Sequence, residues 1–212
     1  KNAKVFCGDF SFHHGAFEGV DGKFGQVMPD DVPEDAVDLQ GATVIPGLID
    51  VHSHGNSGAD FSDGDYEGLQ TMAAYYASVG VTSFAPASMT LPYETLEKAY
   101  VNAKRLVEET PAGLSVLRGI QMEGPYFSYK KRGAQNPDYL KEPDFAGFKA
   151  LQEGSGGLIR IVDVAPELPG AEEFVRQAKE LCTVSVAHTD ADYDHAKAAF
   201  DAGATHLTHL YN

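Results

Sequence analysis

Cysteine is scarce. Cys7 and Cys182 are the only two in 212 residues. They have neither metal-type nor disulfide-framework spacing, so they read as reduced thiols in a cytoplasmic protein. Basic residues are also few: 16 Lys and Arg stand against 31 Asp and Glu, a formal net charge of -15. That balance argues against nucleic acid and anionic membrane as main partners, because both demand clustered cations. A small anion stays open, since a local pocket can oppose the global sign. No apolar run approaches the roughly 18 residues of a membrane span, and nothing reads as a signal peptide. Neither a dinucleotide glycine fingerprint nor a phosphate-cradling loop is present. Ser53, Ser57 and Ser88 sit in no nucleophile elbow, which argues against a serine hydrolase.

What is present is ordinary for a globular protein, with 43% hydrophobic and 22% charged residues. The length allows one large core or two modest ones. The chain enters a strand-like run at Lys1 and stops at "THLYN", so it reads as part of a longer protein. Residues 1–43 are rich in glycine and short apolar runs, which predicts small antiparallel strands with tight turns.

From Val44 the texture changes, and residues 44–212 alternate strand-like and helix-like stretches. The strand-like runs are "VIPGLIDVHSH", "VTSFAPAS", "VLRGIQMEGP", "GLIRIVDVAPE", "TVSVAHT" and "ATHLTHLYN". Between them, apolar residues recur at helical spacing, as in Leu96, Ala99, Tyr100, Ala103 and Leu106. Gly80 and Gly203 close two of these stretches as helix caps. Alternating β and α units with buried strands mean an α/β fold with a parallel sheet. An incomplete (β/α)8 TIM-type barrel is favoured over an open doubly wound sheet, because polar residues sit where nearly every strand ends.

Those ends carry the chemistry. His52 and His54 stand two apart on the first strand and point to one side of it. Glu123 follows the third strand and precedes Gly-Pro. Glu167 follows the fourth strand and His188 ends the fifth. His206 and His209 are three apart, so one strand would turn them to opposite faces, and His209 lies nearer the carboxyl end. A buried carboxylate among neutral imidazoles suits a divalent metal. His13, His14 and His195 are expected at the surface. The "KKR" run at 130–132 reads as a solvated loop whose place after Glu123 keeps substrate contact open.

Together "PGLIDVHSHG", "QMEGPYFS…KKRGAQNPDYL", "VDVAPE", "VAHTDADYDHA" and "GATHLTHLYN" resemble the N-acetylglucosamine-6-phosphate deacetylases of the amidohydrolase superfamily. The resemblance runs from Val44 to Asn212, and the N-terminal strands resemble part of that family's small β-sandwich. It implies a barrel cut after six β/α units and hydrolysis of an N-acetyl amide on an amino-sugar phosphate. It also implies a homodimer and a divalent metal, zinc or iron, one or two per chain. Glu123, His188 and His209 would hold the principal ion, and His52 and His54 a second, with Glu123 able to bridge. Ala134 and Gln135 match a substrate-contact pair that is Ala-His in many members, and Asn212 matches a residue at the substrate phosphate. The family's proton-carrying aspartate falls beyond residue 212. Other amidohydrolase chemistries, a dihydroorotase-like cyclic amidase or a deaminase, compete with this expectation. So does a non-catalytic fragment that binds metal or sugar phosphate.

Overall fold

The computed structural model describes residues 1–29 and 32–211. The chain divides into two compact units, Lys1–Gly47 and Leu48–Asn212. In the first, β1 (Ala3–Phe6) pairs antiparallel with β2 (Phe12–Gly15), and β3 (Gly19–Val20) with β4 (Lys23–Phe24). The strand β5 (Thr43–Val44) returns beside β1 in parallel, so the expectation of antiparallel strands holds for the hairpins and not for this closing strand. His13 and His14 lie exposed on β2.

The run Val44–His54, which reads as one buried strand, is two. Val44 pairs with Val5 in the first unit, and β6 (Leu48–Asp50) starts the second. Pro46 and Gly47 separate them, and proline offers no N–H to a ladder. The second unit adds a small hairpin, β7 (Gly55–Asn56) with β8 (Ala59–Asp60), then helix α1 (Tyr66–Ser78) and β9 (Val81–Phe84). Next come α2 (Tyr93–Glu109), the broken strand β10 (Val116–Leu117) and β11 (Ile120–Met122), and α3 (Phe145–Gly154). The chain continues through β12 (Ile159–Val164), α4 (Ala171–Ala178), β13 (Thr183–Val186), α5 (Tyr193–Ala202) and β14 (His206–Leu207).

All the main strands run parallel and in chain order. β6 pairs with β9, and β9 with β10. β11 pairs with β12, β12 with β13, and β13 with β14. A single bridge from Ala87 to Gln121 joins the two ladders. The sheet does not close among the described residues. Its first strand has a ladder partner on one side only, β9, and its side chains stay open: Leu48 is 55% and Ile49 69% exposed.

The helices form where their sequences dictate. Asp65, Asp144 and Asp192 accept backbone N–H groups at the starts of α1, α3 and α5. Gly80 after α1 and Gly203 after α5 take the positive φ that ends a helix easily. Met72, Leu96, Tyr100, Phe148 and Phe174 pack from the helices onto Val162 and Val184 of the sheet. No helix among the described residues is long and apolar enough to cross a membrane.

Candidate metal centre

Glu123 stands one residue beyond β11 and is 1% exposed. Such burial of a carboxylate requires partners, and four histidines supply them. His209 Nε2 lies 2.8 Å and His188 Nε2 3.0 Å from Oε1. His54 Nε2 lies 3.0 Å from Oε2, and His52 Nε2 3.8 Å from Oε1. The ligand atoms of His52, Glu123 and His209 all fall within 4.8 Å of one another. The five residues expected as ligands, His52, His54, Glu123, His188 and His209, therefore converge, whereas Glu167 turns to Thr189 Oγ1 and Asp190 N.

The far side of three rings is anchored. His54 Nδ1 donates to the carbonyl of Ala87 at 3.0 Å, and His188 Nδ1 to that of Lys131 at 3.1 Å. A carbonyl only accepts, so both rings carry their proton on Nδ1. His52 Nδ1 meets Gln121 Oε1 at 2.8 Å. The ring of His188 also stacks on buried Phe127, with centroids 4.4 Å apart. His188 and His209 both hold a left-handed backbone, φ 45° and 56°. That conformation is costly for a residue with a Cβ and clusters at functional sites.

This arrangement fits a cation. With Nδ1 protonated, each Nε2 presents a lone pair toward a carboxylate that itself only accepts. Something positive must stand between them. A divalent ion does so, and so does a proton on the imidazole. Without an ion, burial pushes the Glu123 carboxyl up, but hydrogen bonds from His188, His54 and His209 overcome it and hold the group well below the usual carboxylate range. The hydrogen bond to Glu123 raises His54 against its burial. For His188, burial lowers the pKa, yet the same carboxylate brings it above the ordinary value.

The remaining expectations divide. Gln135 is buried; its Nε2 donates to Glu123 Oε2 at 3.1 Å and its Oε1 accepts from Thr90 N at 2.7 Å. In this arrangement it orients the carboxylate. Ala134 is exposed next to it. Asn212 lies outside the described residues. His206 turns to Ser185 Oγ at 3.0 Å instead of Glu123. His195 is exposed on α5. Lys130 pairs with Asp190 at 2.5 Å, and the same loop supplies the Lys131 carbonyl to His188.

Sequence reasoning passed over Gln121 and Asp163. Gln121 Nε2 donates to both oxygens of Asp163, at 3.2 and 2.9 Å, and Asp163 is fully buried. Burial pushes the Asp163 carboxyl up to about 7, against hydrogen bonds from Gln121 and Thr208. The signal was there: a polar residue interrupts each of two apolar runs, "GIQM" and "IVDVA".

Parallel strands in chain order with an imidazole–carboxylate centre at their carboxyl ends define an α/β protein with a candidate metal site. The chain belongs to the Amidohydrolase family, whose model matches residues 43–212. It is 39% identical over 174 residues to an N-acetylglucosamine-6-phosphate deacetylase of Bacillus subtilis (strain 168), covering 81% of this chain and 44% of that one. It is 33% identical over 194 residues to an N-acetylgalactosamine-6-phosphate deacetylase of Escherichia coli O157:H7, covering 91% and 51%. The crystal structure of N-acetyl-D-glucosamine-6-phosphate deacetylase from Mycobacterium smegmatis matches with a TM-score of 0.88 at 29% identity, over 99% of this chain and 56% of that one. The chain spans about half the length of the curated relatives it matches.

Proposed function

We propose that this chain carries the metal-binding part of a deacetylase that hydrolyses N-acetylglucosamine 6-phosphate to glucosamine 6-phosphate and acetate. The observation that carries the reading is the convergence of His52, His54, His188 and His209 on buried Glu123. The sequential parallel strands support a fold made of the first six units of a closed (β/α)8 barrel, whose active sites lie at the carboxyl ends of the strands. The free state of Cys7 and Cys182 is in keeping with a cytoplasmic protein.

Glu123, His188 and His209 are the proposed ligands of a principal Zn²⁺ or Fe²⁺, and His52 and His54 those of a second, with Glu123 shared. An ion bound there lowers the pKa of water toward neutrality and polarises an amide carbonyl. The chain's own contribution is orientation. Ala87 and Lys131 hold the rings of His54 and His188 by their carbonyls, and Gln135 holds the carboxylate. Ala134, Gln135 and Asn212 are the proposed contacts to the sugar phosphate, Gln135 also holding the carboxylate of Glu123. The proton carrier is proposed to be an aspartate outside these 212 residues. A cyclic amidase that bridges two ions through a carboxylated lysine on the fourth strand is disfavoured, because β12, "IRIVDV", has no lysine.

Acetate release by the full-length gene product tests the proposal. N-acetylglucosamine 6-phosphate and its galacto epimer are assayed separately, with and without a chelator. Release from the gluco substrate that chelation abolishes is the expected result. Faster release from the galacto substrate reassigns the sugar. No release from either, with metal present, refutes the reading.

A further inference from the structure

We propose that Gln121 and Asp163 are positioning residues that fix the ring and tautomer of His52, so that its Nε2 is presented as a ligand for the second ion. The inference rests on the metal-centre reading above and adds to it the reason one of its ligands is competent.

The three anchored rings are not held alike. His54 and His188 lean on main-chain carbonyls, whose polarity is invariant. His52 leans on a side-chain amide, with Nδ1 2.8 Å from Gln121 Oε1. An amide can turn over. If it did, its NH2 would face His52 Nδ1, the ring proton would move to Nε2, and a hydrogen would stand where a metal ligand is needed.

The structure holds what forbids that turn. Gln121 Nε2 has Asp163 Oδ2 at 2.9 Å, Oδ1 at 3.2 Å and Thr208 Oγ1 at 3.0 Å. Thr208 in turn donates to Asp163 Oδ1 at 2.9 Å and shares a 2.8 Å bond with Ser185 Oγ. A turned amide would set its oxygen against the oxygens of a carboxylate. Gln121, Asp163 and Ser185 are buried and come from β11, β12 and β13, and Thr208 follows β14 directly. Asp163 and Ser185 are partners in the ladder register. The amide is therefore keyed by a polar row drawn from β11, β12, β13 and the residue after β14, which meets the proposed ligands at His52. Groups that orient a ligating imidazole typically contribute about 10–100-fold to metal affinity.

The test uses the full-length gene product, stripped of metal at pH 8, with ¹⁵N-labelled histidine. Long-range ¹H–¹⁵N spectra report the tautomer of each ring, and His52 is assigned by its loss in His52→Asn. The expected wild-type state is Nδ1–H, a measurement that does not depend on whether Gln121→Leu folds. In Gln121→Leu the His52 signals should lose that pattern while those of His54 and His188 keep it. Zn²⁺ titration against a chromophoric chelator should then show the weaker site falling by about 10–100-fold and the tighter site unchanged. An Nε2–H tautomer at His52 in the wild type overturns the proposal. So does a Gln121→Leu protein with unaltered tautomer and both affinities intact. A wild type that takes up no second Zn²⁺ refutes the second-ion site and this proposal with it. That failure is told apart from failure of the positioning alone, because the tautomer is read before any ion is added.

Discussion

Glu123→Gln is the most informative single change. Each carboxylate oxygen has its own partners: Oε1 takes His188 and His209, and Oε2 takes His54 and Gln135. Glutamine keeps the shape but replaces one oxygen with an NH2 that only donates. Placed at Oε2, the NH2 confronts the Gln135 amide and, in the metal-free protein, the His54 Nε2–H that the carboxylate favours; placed at Oε1, it confronts the same proton on His188 and displaces the His209 contact. Either way half of the contacts are lost, and each is a hydrogen bond to a charged group, worth about 1.5–3 kcal/mol. Two at the lower bound give about 3 kcal/mol, or roughly a hundredfold in the folding equilibrium constant of the metal-free protein. In the full-length protein the ion should also bind more weakly, because a neutral amide is a poorer ligand for a divalent cation than a carboxylate. Urea unfolding of the metal-free protein at pH 6 should show a loss of about 3 kcal/mol. Zinc competition titration and the urea midpoint measure the two effects. If Glu123→Gln retains its affinity within about twofold and its midpoint is unmoved, the carboxylate is not the hub argued for here.

His52→Asn/His54→Asn should lower bound metal from close to two ions per chain to close to one, read by elemental analysis of the dialysed full-length protein; unchanged stoichiometry removes the pair from the site. Metal-free stability should peak between the ordinary glutamate value of 4.5 and the ordinary histidine value of 6.5. Below the peak the depressed Glu123 loses its contribution as it protonates; Asp163, raised from its ordinary 3.8 to about 7, costs stability between those values and draws the peak toward its acid edge, and above the ordinary histidine value the raised His54 and His188 lose theirs as they deprotonate. Urea titrations from pH 4 to pH 8 check this, and a stability that climbs steadily to pH 8 contradicts it. Gly124→Ala should destabilise by about 1–3 kcal/mol and weaken metal binding. Gly124 has φ +93° and an added Cβ would lie 2.1 Å from Thr90 Oγ1, whose residue also holds Gln135. Thermal unfolding with and without Zn²⁺ measures it.

Much of this architecture was legible because it obeys period and polarity. The helices announce themselves by apolar spacing, with aspartate caps at α1, α3 and α5 and closing glycines after α1 and α5. His52, His54, Glu123 and His188 are visible as polar residues where apolar runs stop. Three features were not visible, each for a physical reason. The break at Pro46 divides one apolar run between two units, because hydrophobicity does not say which ladder a strand joins. His209 was chosen by alternation along a strand, yet β14 ends at Leu207 and the ring reaches Glu123 from a left-handed turn. The anchors at Ala87 and Lys131 are main-chain oxygens, which any residue type supplies, so no side-chain pattern marks them.

The centre sets the Nε2 atoms of four imidazoles against one carboxylate at the end of a strand, and two of those rings sit on left-handed backbone. Left to protons alone, the cluster must keep imidazolium beside carboxylate, and each proton that leaves with rising pH uncovers an acceptor facing an acceptor. A divalent cation removes the conflict at once and requires the very deprotonation that destabilises the metal-free form. The anchors then serve one end. Carbonyls, a keyed amide and a stacked phenylalanine hold the rings so that little must reorganise when the ion arrives. The left-handed backbone at His188 and His209 reduces the stability of the metal-free fold. The geometry that carries this strain also fits a cation, which links the folding of these strands to the chemistry proposed at their ends.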